Sequence, residues 1–150
     1  MPALKWKKGR GKLGPFTPLL GAWRAAADSP QGPVTVTRKL TSVLKGSHLQ
    51  LEVHWQIGKV AYDELALIGV DRDGQVRAWS FTSDGKNSTG TLAAVSDLHP
   101  QAIGFEFNMP AGLARQAYWP AEDGGVIWVV EARTKKGWRR FTQHHYQATP

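Results

Sequence analysis

From His48 to Gln56 apolar and polar residues alternate without a slip, with Leu49, Leu51, Val53 and Trp55 on one side and His48, Gln50, Glu52, His54 and Gln56 on the other. A period of two belongs to a strand with one buried and one wet face, and it excludes a helix over the same span. The alternation returns in Ile103, Phe105, Phe107 and Met109 against Gly104, Glu106 and Asn108, and Val34-Thr35-Val36-Thr37 opens another strand with β-branched residues. Val126 to Ala132 is apolar on both faces apart from Glu131, the pattern of a strand lying between two other elements. Turn formers punctuate these runs: Pro30-Gln31-Gly32-Pro33, Lys45-Gly46-Ser47, Asp71-Arg72-Asp73-Gly74, Ser83-Asp84-Gly85, Asp123-Gly124-Gly125 and Lys136-Gly137.

Ten strands are expected, at 22–28, 34–45, 48–56, 63–71, 75–83, 87–95, 101–109, 113–120, 126–135 and 138–147. Their linkers are short, so sequential neighbours pair antiparallel. No window carries an amphipathic helical period, and residues 14–20 offer at most a turn of 3₁₀ helix. Such a sheet must dispose of its edges, and closure does so directly. The expected fold is all-β: an antiparallel up-and-down barrel of about eight to ten strands with little helix. A two-sheet sandwich is the alternative, although it usually needs a longer crossover than the turns suggest.

A chain of 150 residues fits one domain. The absence of cysteine excludes disulfides, thiolate metal sites, iron–sulfur clusters and cysteine nucleophiles. The formal charge of +7 is uneven: Lys5, Lys7, Lys8, Arg10 and Lys12 account for +5, so the rest of the chain is nearly neutral. We read residues 1–12 as a flexible basic tail, with Gly9 and Gly11 supplying flexibility, and residues 13–150 as the single barrel domain. This distribution argues against specific nucleic-acid binding. No apolar run reaches the roughly 18 residues of a membrane helix. Pro15, Pro18 and Gly21 break the segment a secretory signal would need, which points to a cytoplasmic protein.

Leu20-Gly21-Ala22-Trp23 resembles the Gly-x-Trp opening of calycin, or lipocalin-like, barrels. Leu44-Lys45-Gly46-Ser47-His48-Leu49 is similar to the turn after the second strand in an uncharacterised group of small bacterial lipocalin-like domains. Tyr62-Asp63-Glu64-Leu65-Ala66-Leu67-Ile68-Gly69-Val70-Asp71, followed by Gly74 and Trp79, resembles another segment of that group, with Leu65 in place of a common glycine and Val70 in place of a tyrosine. The match covers residues 20–92, and the last third agrees by strand pattern. The resemblance implies a lipocalin-like barrel with a small internal cavity and implies no reaction.

The expected site is an aromatic-lined lumen for a small hydrophobic or amphipathic ligand, built from Trp55, Arg77, Trp79, Phe81, Phe105, Phe107, Trp128 and His144. By period two Arg77 shares a face with Trp79 and Phe81, where a guanidinium would anchor a ligand carboxylate, as in fatty-acid-binding barrels. His144 shares a face with Trp138, Arg140, Thr142 and Tyr146. It is the second candidate for a polar contact, or for an axial haem ligand of the kind the haem-binding nitrobindins use on their last strands. No other cofactor is indicated. Metal is not, since His48 and His54 stand about 20 Å apart along one strand and His144 and His145 point to opposite faces. Glu52, Glu64, Glu106 and Glu131 read as outer-face residues.

A binding protein is therefore favoured over an enzyme. The alternatives are an enzyme using an interior Glu or His on a hydrophobic substrate, and a structural or partner-binding protein with a filled lumen. A monomer or weak homodimer is expected.

Overall fold

The structure, a computed structural model, describes residues 6–150. Ten antiparallel strands close into one barrel: β1 (Gly21–Ser29), β2 (Gly32–Val43), β3 (His48–Ile57), β4 (Val60–Val70), β5 (Val76–Thr82), β6 (Asn87–Ala93), β7 (Ile103–Met109), β8 (Gly112–Pro120), β9 (Val126–Thr134) and β10 (Gly137–Ala148). Each strand pairs with its sequence neighbours, and β1 meets β10 through Trp23 opposite Ala148 and Arg24 opposite Gln147. Closure therefore rests on the end of β10 and not on Phe141, which is exposed. The only helical segments among the described residues are 3₁₀ turns at Gly14–Leu19 and Leu44–Gly46, and none is long and apolar enough to cross a membrane.

The 3₁₀ turn before β1 plugs one end of the barrel. Phe16, 1% exposed, stacks on Phe105 with ring centroids 5.5 Å apart, and Leu19 lies buried beside it. From Trp6 onward the expected basic tail lies against this end. Trp6 packs on the core and its backbone N–H donates to Gln101 Oε1 at 2.6 Å, while Gly9 N–H donates to Gly14 O at 2.8 Å. A Cβ on Gly9 would come within 2.3 Å of Thr17 Oγ1, so this glycine serves a close backbone approach instead of flexibility. Met1–Lys5 lie outside the described residues.

The outer wall carries a second, smaller core. Residues 94–102, between β6 and β7, drape over β8 and β9, where Val95 packs on Ala117 and Val129, with Leu98, Trp119 and Ile127 alongside. This cover accounts for the apolar character of β9 on both faces. Beside it Arg115 and Glu131, both buried on the outer wall, pair at 2.8 Å. Asp97 grips the same guanidinium through two bonds of 3.1 and 2.8 Å, and Arg140 donates to the other Glu131 oxygen at 2.9 Å. Trp138 lies 4.3 Å from the Arg115 guanidinium carbon, a cation–π contact. Glu131 is thus the centre of a buried ion network, contrary to the solvated position expected of it.

Candidate functional site

Strand register decides which side chains enter the lumen. Ala66 stands opposite Ser80 and Ile68 opposite Ala78, so β5 turns Val76, Ala78, Ser80 and Thr82 inward. Arg77, Trp79 and Phe81 therefore lie on the outer wall, which corrects the expectation that they line a pocket. Phe81 is 54% exposed, and Arg77 is satisfied there by Asp71 and by Thr91 Oγ1. The inward Ala78 and Ser80 of β5 and the inward Ser88 and Gly90 of β6 are small, and large residues from elsewhere in the wall occupy the space beside them. A Cβ on Gly90, for example, would meet the Phe107 ring at 2.5 Å.

A bulge in β10 makes the second correction. The register shifts between Arg140 and Thr142, leaving Phe141 as the extra residue. Trp138 and Arg140 consequently face the outer ion network, while Thr142, His144 and Tyr146 face the lumen. A strict period of two would put all five on one side.

The lumen differs between its ends. At the plugged end Leu40, Leu49, Ile68, Val76, Ile103 and Val126 are buried. Toward the other end the inward-facing Trp55, Tyr62, Glu64, Gln116, Thr142 and His144 are only half-buried. Of the expected aromatic lining, Phe105 belongs to the plugged core, while Trp55, Phe107, Trp128 and His144 belong to the middle and open part. Trp55 on β3 reaches across the barrel to Trp128 on β9, ring centroids 5.9 Å apart, and His144 sits 5.3 Å from both. The His144 Nδ1 is buried without a hydrogen-bond partner, which leaves Nε2 as the nitrogen a ligand can reach. Burial, and then the nearby charge of Arg38, holds this imidazole below its ordinary pKa, so it is neutral at neutral pH.

Glu64, expected outside, faces inward from β4 and accepts a hydrogen bond from Ser80 Oγ. It and His144 come from different parts of the wall, and no hydrogen bond joins them, so no acid–base pair is assembled. Arg38 was missed by the sequence reading although Val34, Val36 and Leu40 flank it on the same face of β2. Its guanidinium, 5% exposed, donates to Tyr118 Oη and lies 5.2, 5.0 and 5.6 Å from the rings of Tyr118, Trp128 and Tyr146. Burial raises the pKa of both tyrosines, which stay neutral phenols. Among the described residues no three His, Asp or Glu side chains are placed to hold a metal ion.

A closed, ten-stranded antiparallel barrel, plugged at one end and lined by half-buried aromatic and polar groups toward the other, is the class of protein this geometry defines. No protein-family profile matches the chain, and no curated protein does. Among solved structures it is similar to the crystal structure of Rv2717c from M. tuberculosis, with a TM-score of 0.56 and 16% identity over 92% of this chain and 97% of that one. At this identity the likeness carries the fold alone.

Proposed function

We propose that the protein is a calycin-like binding barrel that takes one small, mostly apolar molecule into the unplugged half of its lumen. The observation that carries this reading is the contrast in burial along the inward-facing side chains. Large aromatics in a packed core are normally buried by one another, whereas the inward-facing Trp55 and His144 are only half-buried. His144, Gln116 and Glu64 supply the few polar contacts that fix orientation, and Arg77, on the outer wall, has no part in it. Burial of apolar surface contributes roughly 25 cal/mol per Å², of which association costs consume much, so a generic probe should bind with micromolar affinity at best.

Titration with an environment-sensitive fatty-acid analogue, read by quenching of Trp55 and Trp128 fluorescence, tests the proposal. Quenching should saturate at one equivalent, and Trp55→Ala should weaken it. A wild-type protein that shows no saturable quenching with any apolar probe would favour a filled, structural lumen.

A second reading, haem binding, is favoured by His144 itself. A neutral imidazole with an accessible Nε2, flanked by two indoles, fits an axial ligand to haem iron, and the iron would supply the redox or gas-binding chemistry. Addition of haemin separates the two readings. A stoichiometric absorbance shift that His144→Ala abolishes supports haem, and an unchanged free-haemin spectrum rejects it.

A further inference from the structure

The plugged end of the barrel carries a cluster of exposed cations. Three segments meet there: the strap of residues 6–13, the turn from Leu44 to Ser47 and the turn from Asp71 to Gln75. Lys12 Nζ donates to Gly74 O, which ties the strap to the β4–β5 turn. The His48 ring packs over Gly69, where a Cβ would come within 2.5 Å of it, and this ties the β4–β5 turn to the turn before β3. Together the three segments present Lys7, Lys8, Arg10, Lys12, Lys45 and Arg72, all exposed, and among the described residues none of the six forms an ion pair. Of the acids in these segments, Asp71 is engaged by Arg77, which leaves Asp73 to offset the cluster.

Aliphatic side chains stand beside these charges. Leu44 is 64% exposed, and Leu20 and Val70 flank the same end at 39% each. Leu44 and Lys45 have φ of 52° and 57°, the left-handed region that residues with a bulky side chain seldom adopt. The turn thus holds a large apolar side chain in water, beside a cation, in a conformation that is itself unfavourable. Cations beside a protruding aliphatic group match an anionic lipid surface, where lysines meet the headgroups and leucine enters the acyl boundary. A single-stranded nucleic acid would ask for exposed aromatic rings on which bases stack, and the one such ring of the strap, Trp6, packs on the core. We propose that the plugged end docks on anionic membrane surfaces, with Leu44 inserting among the headgroups and the surrounding cations holding it there. The open end then faces away from the bilayer, so docking does not depend on what the lumen binds.

Co-sedimentation of the full-length protein with lipid vesicles tests the surface. Vesicles of phosphatidylcholine and phosphatidylserine in equal parts should carry the protein down at about 0.1 M salt, and pure phosphatidylcholine should not. Salt at about 1 M, where the screening length falls to about 3 Å, should release it. The double variant Lys45→Glu/Arg72→Glu should abolish binding. Lys135→Glu/Lys136→Glu, the same change of charge at the opposite end, should leave it nearly unchanged. Leu44→Asn, which suits the left-handed backbone and keeps every cation, should weaken binding about tenfold. All these positions are exposed, and circular dichroism checks that each variant keeps the barrel. The proposal is overturned if the mixed vesicles leave the wild type in solution, if pure phosphatidylcholine binds it as well, or if both charge reversals weaken binding equally. It is also overturned if Leu44→Asn binds like wild type and a duplex oligonucleotide displaces the vesicles, which would make this end a general polyanion surface.

Discussion

Replacing Glu131 by glutamine should be among the most damaging isosteric changes in this protein, although it lies on the outer wall of the barrel. Its carboxylate is 5% exposed and bridges Arg115 on one oxygen and Arg140 on the other. Neutralising it aims an amide at one guanidinium and leaves the buried Arg115 with Asp97 as its only anion. Removing one partner of a buried pair costs about 3–5 kcal/mol. Asp97 still compensates Arg115, and the half-exposed Arg140 turns to solvent, so the estimate falls to about 2–3 kcal/mol. At about 2–4 °C per kcal/mol for a domain of this size, the melting temperature should drop by roughly 4–12 °C.

Arg115→Met should cost about 3–4 kcal/mol, since it also forfeits the contact with Trp138. The double variant Arg115→Met/Glu131→Leu replaces the buried pair by apolar side chains, and the more exposed Asp97 and Arg140 can hydrate. It should lose less than the sum of the two singles by at least about 2 kcal/mol. Urea unfolding of the wild type, both singles and the double variant gives the cycle. Energies additive to within about 0.5 kcal/mol, or a loss below about 1 kcal/mol for Glu131→Gln, would refute the buried-network account. Limited proteolysis offers an independent view, because release of Asp97 should expose residues 94–102 to cleavage in Arg115→Met.

Three further outcomes are expected. Phe16→Ala, which removes the ring stacked on Phe105, should destabilise by about 3–5 kcal/mol in urea unfolding, and a loss under about 1 kcal/mol would mean the plug is dispensable. Asp123 is held at about 2, first by the Gly125 backbone N–H and then by Gln147 and His145, against an ordinary 3.8. A depressed carboxylate contributes stability that is present above the unfolded value and lost as pH falls through the folded one. The melting temperature of Asp123→Asn should therefore decline less steeply than that of wild type between pH 4 and 2, and parallel slopes would contradict the assignment. Arg77→Ala should leave the affinity for the fatty-acid analogue unchanged, and a clear loss would place Arg77 in the site after all.

The strands, their antiparallel pairing and the short 3₁₀ turn before β1 were legible in the residues, because period-two alternation and turn chemistry are local properties of the chain, whereas the plugging role of that turn was not. The double-sided apolar run of β9 likewise announced that something covers its outer face. The face presented by each strand was not legible wherever two locally sensible assignments competed. In β5 the large residues Trp79 and Phe81 looked like the buried set, yet register with β4 turns Ala78 and Ser80 inward. Bulk reports burial only when the opposite wall leaves room, and here Phe107 and other inward aromatics already fill it.

One inserted residue, Phe141, likewise decides that His144 and Tyr146 part company with Trp138 and Arg140. A bulge has no compositional signature in this strand, so alternation carried past it assigns the wrong side. Arg38 could have been found from its apolar neighbours at Val34, Val36 and Leu40, since a charge on a buried stripe is the informative exception. Its surroundings could not, because Tyr118, Trp128 and Tyr146 converge on it from strands that meet only when the sheet closes. The sequence by itself determined about ten short antiparallel strands, for which closing the sheet was the direct way to dispose of its edges. Tertiary structure alone decided which charges are buried and which aromatics face the lumen, because both depend on register and on volume shared between strands distant in the chain.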